Sequence, residues 1–224
     1  MKYDVIIVGA GPGGIYSAYE LMKKCSDKKI AVFDSGYSLK KRHCPIDGEK
    51  VKACIKCKSC SIMSGFGGAG AFSDGKYNIT NDFGGTLYEY IGKKAATELM
   101  QYVDDINMAH GGEGTKMYST AGTNLKKVCL QNRLKLLNAS VRHLGTDINL
   151  VVLGRLYDEL KEHVDFYFES PVSHIECLEN GGYRVWSNDK SYDCEKCIVS
   201  VGRSGSKWME HICKELDIPT KSNR

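Results

Sequence analysis

The chain begins with a short apolar run, which is followed at once by glycines and then by an amphipathic segment. Residues 3–8 predict a buried strand, and the residues from the glycines to about Lys24 predict a helix. A second apolar run, residues 29–33, predicts another strand that ends at Asp34. The order strand, glycine turn, helix and strand is typical of a βαβ unit that binds a nucleotide.

The middle of the chain has a different pattern. Residues 35–64 show no sustained helical or strand period, and residues 65–76 are dense in glycine. A structureless stretch of this length is uncommon inside a domain unless a ligand or metal orders it. Beyond it, apolar positions at helical spacing predict helices over about 86–109, 124–137 and 149–163.

The last part of the chain returns to strands. Alternating and apolar runs there predict a small antiparallel meander, with a hairpin turn at Asn180-Gly181-Gly182, then a buried strand and a closing helix. The predicted strands cover 164–169, 172–178, 183–186, 191–194 and 197–201, and the helix covers 206–216.

The middle block therefore resembles an insertion between two pieces of one domain. We predict an α/β fold, in which a parallel sheet and a small antiparallel meander form a Rossmann-like nucleotide-binding domain. The insertion is expected to be largely helical and rich in cysteine and glycine. The predicted segments are 1–43 and 148–224 for the nucleotide-binding domain and 44–147 for the insertion.

Composition narrows the function classes. The 224 residues are 42% hydrophobic, which supports a genuine core, and the net charge is only +4. We expect no nucleic-acid partner, because no long Lys/Arg block occurs, and no membrane partner, because no apolar run approaches about 20 residues. The start lacks a signal-peptide pattern. We therefore expect a cytoplasmic protein whose ten cysteines are thiols, ligands or redox centres.

The first glycines match the spacing G-x-G-x-x-G at Gly9, Gly11 and Gly14. In such a turn the first glycine permits the tight bend, the second lets a pyrophosphate approach, and the third lets the helix pack closely. Asp34 stands where a carboxylate accepts hydrogen bonds from an adenosine ribose. The alternative is a tight turn without a ligand. The candidate nucleotide-binding residues here are Gly9, Gly11, Pro12, Gly13, Gly14, Asp34 and Ser35.

A nicotinamide-binding domain normally continues with βαβ units after its acidic residue, whereas this chain has an insertion, a meander and residues 198–202. That order resembles the FAD-dependent flavoproteins of the glutathione-reductase type. Residues 67–76, 142–147 and 199–205 further resemble a family of bacterial FAD-dependent dehydrogenases related to NAD(P)/FAD-dependent oxidoreductases.

The resemblance implies FAD as the cofactor, with the backbone at Val172 near the adenine and the turn at Val201 and Gly202 beside the cofactor. Members of the family are longer, and a C-terminal segment closes over their flavin. We therefore expect this chain to be an N-terminal part, incomplete at its C-terminus, that keeps the adenosine end of the site and holds flavin weakly by itself.

The glycine-dense segment is the most specific part of the resemblance. Its backbone N–H groups are unobstructed and suit an anion or a flavin edge. A lysine near the flavin would stabilise negative charge on the reduced ring. The alternative is a flexible loop with solvated side chains. The candidate cofactor contacts in this segment are Gly68, Ala69, Gly70, Ser73, Asp74 and Lys76.

Four cysteines precede that segment. Cys54, Cys57 and Cys60 have the spacing C-x2-C-x2-C, and Cys44 lies ten residues upstream. Four thiolates could hold a [4Fe–4S] cluster or zinc. A thiol–disulfide relay and unliganded cysteines are the alternatives. We predict a metal site in which all four sulfurs converge.

Two other pairs invite a functional interpretation. Cys194 and Cys197 also have the spacing C-x2-C, but they enter a strand of core type, so packing is the favoured interpretation. Arg142 and His143 could hold an anionic substrate, or His143 could complete carbonyls at a helix end.

Taken together, the sequence predicts an FAD-dependent oxidoreductase, or its FAD-binding portion. Its flavin would pass hydride or electrons between a small-molecule donor, such as NAD(P)H or an organic substrate, and an acceptor or electron carrier. The alternatives are an iron–sulfur or zinc electron-transfer or sensor module and a plain NAD-binding domain.

Overall fold

A computed structural model of the chain describes residues 1–179 and 181–221. Asn180, part of the predicted hairpin turn, lies outside the described residues. Within the described part the chain contains strands and helices in the following order: β1 (Lys2–Val8), α1 (Pro12–Lys24), β2 (Ile30–Phe33), β3 (Lys76–Ile79), α2 (Leu87–Ile91), α3 (Lys93–Asn107), β4 (Met117–Ser119), α4 (Leu125–Gln131), β5 (Ser140–His143), α5 (Gly145–Leu160), β6 (Val164–Tyr167), β7 (Val172–Cys177), β8 (Tyr183–Ser187), β9 (Lys190–Val199) and α6 (Ser206–Glu215).

The chain divides into two compact units. The first comprises Met1–Ala71 and Leu156–Arg224, and the second comprises Phe72–Arg155. An insertion within a nucleotide-binding domain was predicted, with segment boundaries at 43/44 and 147/148. The functional assignment of those segments stays a prediction.

A six-stranded mixed sheet forms the centre of the first unit, with the order β6-β2-β1-β9-β8-β7. β6, β2, β1 and β9 run parallel, whereas β8 pairs antiparallel with both β9 and β7. The meander therefore shares β9 with the parallel sheet. The apolar runs that predict these strands are buried, as expected for parallel strands that are covered on both faces.

The main core of this unit lies where β1 and β2 meet the meander. Phe33 stacks on the ring of Tyr167, with the ring centroids 4.6 Å apart, and Ile212 of α6 is fully buried against the same cluster. The phenol of Tyr3 donates to Asp165 at 2.7 Å, which satisfies the polar end of a buried ring. The core cluster comprises Tyr3, Ile6, Val8, Ala31, Phe33, Val172, Ile175, Val185, Tyr192, Cys194 and Ile212.

The second unit contains α2, α3, α4, most of α5 and a three-stranded antiparallel sheet with the order β3-β5-β4. The sequence did not predict this sheet. The predicted helix over 86–109 is two helices that meet at Gly92, whose φ of +80° interrupts the helical backbone. The predicted helix over 124–137 ends at Gln131, and Arg133 shortly afterwards adopts a left-handed φ of +59°.

Candidate functional site

The glycine turn lies between β1 and α1, at the carboxyl end of the parallel strands. Gly11 precedes the helix and Pro12 occupies its first turn, and no side chain of residues 1–179 and 181–221 caps this end. Proline suits this position because its fixed φ matches a helix and its missing N–H would have no partner inside the helix. The first turn carries no acidic residue. Its free N–H groups and the helix dipole therefore favour an anion at this end.

The three motif glycines have different surroundings. Gly9 adopts a φ of +105°, which side chains rarely allow, and a Cβ there would stand 2.8 Å from the carbonyl oxygen of Ser200. A Cβ on Gly14 would stand 1.8 Å from the carbonyl oxygen of Gly9. A Cβ on Gly11 would meet only the Cα of Gly68, at 3.9 Å. Close packing therefore requires glycine at positions 9 and 14. At position 11 the absence of a side chain leaves space open beside the turn.

Asp34 follows β2 and faces the same turn. One carboxylate oxygen accepts the N–H of Ala10 and the other accepts the N–H of Gly36, both at 2.7 Å. These bonds fix the side chain beside the glycine turn. Because each carboxylate oxygen can accept more than one hydrogen bond, Asp34 can still accept from the hydroxyls of a ribose.

The turn opens into a cleft of about 740 Å³ within the first unit. This volume is within the range of small-molecule and cofactor sites, about 300–1,000 Å³. Among its lining residues Asp34 is the acid, and Lys58 and Arg203 are the bases. The cleft is thus an apolar and glycine-rich concavity with few charges.

Most of the predicted cofactor contacts lie on this cleft. Gly14 lies beneath the turn, packed on Gly9, and is not part of the lining. The predicted residues that line the cleft are Gly9, Gly11, Pro12, Gly13, Asp34, Ser35, Gly68, Ala69, Gly70, Val172, Val201 and Gly202.

The other predicted contacts, Ser73, Asp74 and Lys76, belong to the second unit. There Lys76 forms an ion pair with Asp74 at 2.6 Å, and this pairing lowers the pKa of the Asp74 carboxyl. Both side chains are about half exposed. A role for these residues at the cofactor stays a prediction.

The predicted metal site is not formed. In residues 1–179 and 181–221 no group of three or more His, Cys, Asp or Glu side chains comes together as metal ligands require. Cys54, Cys57 and Cys60 are exposed and Cys44 is half-buried, all as free thiols. The physical reason is that residues 51–60 form no regular secondary structure and bury little, so the chain itself does not make the sulfurs converge. Cys57 and Cys60 instead line the cleft.

The second cysteine pair belongs to the core. Cys194 is buried in the main cluster, and Cys197 packs against it. A hydrogen bond from the Cys197 thiol lowers the pKa of Cys194, and the same bond together with burial strongly raises the pKa of Cys197. Packing thus accounts for both residues.

Arg142 forms an ion pair with Asp104 inside the second unit. Its guanidinium forms a bidentate pair with Asp104 at 2.7 and 2.8 Å and donates to the carbonyl of Thr115 at 2.6 Å. Asp104 is buried. These three hydrogen bonds use three of the five N–H donors of the guanidinium and fix it inside the second unit. A role for Arg142 and His143 in holding an anionic substrate stays a prediction.

Three residues at the cleft were missed by sequence reasoning. Ser59 and Trp208 line the cleft. The hydroxyl of Ser59 and the indole nitrogen of Trp208 are buried and have no hydrogen-bond partner within the described part of the chain. A buried polar atom without a partner is costly, so these two atoms are suited to a bound ligand. Arg42 is buried behind the cleft wall. No local sequence signal marks any of the three residues.

Comparisons with known proteins show what this fold resembles. No known protein family matches the sequence. An uncharacterised protein of Clostridium beijerinckii is 24% identical over 217 residues, which cover 96% of this chain and 34% of that protein.

The solved structures that share the fold include two oxidases. Glycine oxidase from Geobacillus kaustophilus has a TM-score of 0.52 and 14% identity, over 96% of this chain and 58% of its own. L-α-glycerophosphate oxidase from Mycoplasma pneumoniae, solved with FAD bound, has a TM-score of 0.51 and 14% identity, over 96% and 57%.

The chain thus spans about a third of the curated relative and less than three fifths of the solved chains. It shares its α/β fold with these two oxidases, and the predicted fold class is confirmed. None of the helices in residues 1–179 and 181–221 is both long and apolar enough to cross a membrane.

Proposed function

We propose that this chain is the FAD-binding part of an FAD-dependent oxidoreductase and that FAD lies in the cleft of the first unit. The observation that carries the proposal is the position of Asp34 beside the glycine turn, at the mouth of a cleft in a fold shared with an FAD-containing oxidase. A bound flavin would supply two-electron chemistry between a reduced donor, such as NAD(P)H or an organic substrate, and an acceptor.

The residues of the cleft fit this cofactor. Asp34 would accept hydrogen bonds from the adenosine ribose, and the open space at Gly11 would admit the pyrophosphate to the N-terminus of α1. The Ser59 hydroxyl and the Trp208 indole N–H would each gain a hydrogen-bond partner that residues 1–179 and 181–221 do not provide. These contacts bind and orient the cofactor.

The decisive experiment measures the binding of ADP, which represents the adenosine end of FAD, to residues 1–224 by calorimetry. We expect Gly11→Val to weaken ADP binding by at least about tenfold, because its methyl groups fill the space of the phosphates. Folding should be unchanged, since a Cβ at Gly11 meets no close neighbour. Gly154→Val is the matched control, because the space around Gly154 is also open. Unchanged ADP affinity in Gly11→Val would contradict this site.

Competition separates FAD from the plain NAD-binding alternative. ADP should be displaced by FAD more effectively than by NAD⁺ or NADH. Asp34→Asn should weaken all adenosine ligands, because its amide nitrogen cannot accept a hydrogen bond, whereas Asp27→Asn on the exposed surface should not. Preferential displacement by NAD⁺ would favour an NAD-binding domain.

A further inference from the structure

Arg42 is a buried cation that donates hydrogen bonds to three backbone carbonyls in the cleft wall. The residue is 5% exposed. Its guanidinium donates from Nε to the carbonyl of Ser61 at 2.8 Å, from Nη2 to that of Ile62 at 2.8 Å, and from Nη1 to that of Phe66 at 2.7 Å. The three bonds come from three different nitrogens of the planar guanidinium, a spread of donors that the single nitrogen of a lysine does not offer.

These carbonyls belong to one arc of chain, residues 61–66, which we call the arc. Its central residues, Met63, Ser64 and Gly65, line the cleft. Arg42 holds the arc at both ends, since it bonds Ser61 and Ile62 on one side and Phe66 on the other.

The residue that follows the arc is hydrogen-bonded to the glycine turn. The N–H of Phe66 donates to the carbonyl of Tyr37 at 3.1 Å, and the N–H of Gly67 donates to the carbonyl of Ala10 at 2.8 Å. A Cβ on Gly65 would stand 2.3 Å from the carbonyl oxygen of Tyr37, so this end of the arc is tightly packed. A shift of the arc would therefore change the space beside the turn.

The two ends of the arc are anchored unequally. The ring of Phe66 is fully buried and packs edge-on against that of Phe166, with centroids 5.7 Å apart. At the other end Ile62 and Met63 are 38% and 40% exposed. Apolar packing therefore holds the end at Phe66. At the other end Ser61 is buried, and the carbonyls of Ser61 and Ile62 accept hydrogen bonds from Arg42.

The charge of Arg42 also bears on the cleft. Burial lowers the pKa of its guanidinium, and the carboxylate of Asp34 opposes that shift. An arginine side chain stays protonated in proteins. Arg42 thus places a permanent positive charge behind a wall of the cleft, on the side of Asp34.

We propose that Arg42 is a positioning residue, which holds the arc in the shape that leaves room for the cofactor beside the turn at Gly9–Gly14. The proposal rests on the proposed function as far as the nature of the ligand is concerned. Arg42 does not line the cleft, so it acts through the backbone of the arc and not by contact with the ligand.

The first arm of the test needs no ligand. It measures the rate at which iodoacetamide alkylates each exposed cysteine in residues 1–224, resolved by mass spectrometry. Cys60 immediately precedes the arc, and Cys54 serves as an internal reference. In Arg42→Ala we expect the Cys60 rate to change by about fivefold or more while the Cys54 rate stays constant, because release of the arc changes local opening. Lys40→Ala, an exposed lysine two residues away, is the matched control and should leave both rates unchanged.

The second arm measures ADP affinity. We expect Arg42→Ala to weaken binding by about tenfold or more, Arg42→Lys to weaken it nearly as much despite its charge, and Lys40→Ala to leave it unchanged. Added guanidinium ion at millimolar concentration should restore affinity in Arg42→Ala and have no effect on the wild type. A purely structural loss of stability would not respond to the ion in this way.

The outcomes are distinguishable. Wild-type affinity and alkylation rates in a folded Arg42→Ala would overturn the proposal, and so would a folded Arg42→Lys with wild-type affinity if Arg42→Ala does not fold. If the wild type binds neither ADP nor FAD, the proposed function fails, and the alkylation arm still decides whether Arg42 holds the arc.

Discussion

Gly14 stands so close to Gly9 that a Cβ on Gly14 would lie 1.8 Å from the carbonyl oxygen of Gly9. The contact joins the first turn of α1 to the end of β1, and the Ser200 hydroxyl at the end of β9 donates to the same Gly9 carbonyl at 3.2 Å. Gly14, the third glycine of the motif, thus allows α1 to pack closely on the end of β1. Of the three motif glycines, Gly11 is the one that leaves space for a ligand.

The first prediction follows from this contact. Gly14→Ala should lower the free energy of unfolding by about 1–3 kcal/mol, because the added methyl group forces the helix away from the strand. Urea denaturation measures the change. Gly154→Ala is the control, since nothing lies within 4 Å of a Cβ there, and its helical position should make the substitution neutral or stabilising. A Gly14→Ala protein as stable as the wild type would show that the junction is looser than described.

Trp208 provides a direct optical readout of the cleft. Its indole nitrogen is buried at the cleft without a partner in the described part of the chain, and the sequence contains two tryptophans. We expect ADP or FAD to change tryptophan fluorescence in the wild type and in Trp186→Phe, but not in Trp208→Phe. Loss of the hydrogen bond should also weaken binding in Trp208→Phe by about 0.5–1.5 kcal/mol. An equal signal in both variants would place the ligand elsewhere.

The ion pair of Arg142 and Asp104 should decide the stability of the second unit. Arg142→Met leaves a buried carboxylate without its partner, and we expect a loss of about 3–5 kcal/mol in the free energy of unfolding. The double variant Arg142→Met/Asp104→Leu should recover much of this loss, because neither charge is then buried alone. Thermal and urea denaturation measure both. A double variant less stable than the single one would contradict this account.

The half-buried phenol of Tyr77 should make the free energy of unfolding depend on pH in the alkaline range. Its hydroxyl donates to Asn149 at 2.9 Å, and burial, with a smaller contribution from the charge of Asp104, raises its pKa above the ordinary value of 10.0. Above that pH the unfolded chain releases a proton that the folded chain keeps, so the free energy of unfolding should fall as pH rises. Tyr77→Phe should show a weaker decline. An identical pH profile in Tyr77→Phe would contradict the raised pKa.

The sequence predicted the nucleotide-binding half of the fold because its signals are local. The glycine spacing, the apolar strands and Asp34 all lie within the first 34 residues, and each has a direct physical meaning. The sequence also predicted the antiparallel meander. It predicted two strands, 191–194 and 197–201, on either side of the polar pair Glu195-Lys196, whereas the structure has one continuous strand there, β9. Pairing with β1 on one side carries the strand through that pair.

The remaining parts depend on contacts between distant residues. β3 and β5 have four residues each and pair across more than sixty positions, so no local alternation marks them. Arg42, Ser59 and Trp208 have roles only through the tertiary structure around the cleft. For Cys44, Cys54, Cys57 and Cys60 the sequence predicted too much. Their spacing is typical of a metal site, but the four sulfurs do not come together in the described part of the chain.

The pairing of β1 has a consequence for biosynthesis. One side of β1 pairs with β2, only a helix away, but the other side pairs with β9, at residues 190–199. While the ribosome makes the intervening chain, that side of β1 exposes unpaired backbone groups, which is a hazard for aggregation. Ser200, which closes on the Gly9 carbonyl, arrives only after β9. The nucleotide turn is therefore synthesised well before β9, and it is completed only when β9 and Ser200 have been made.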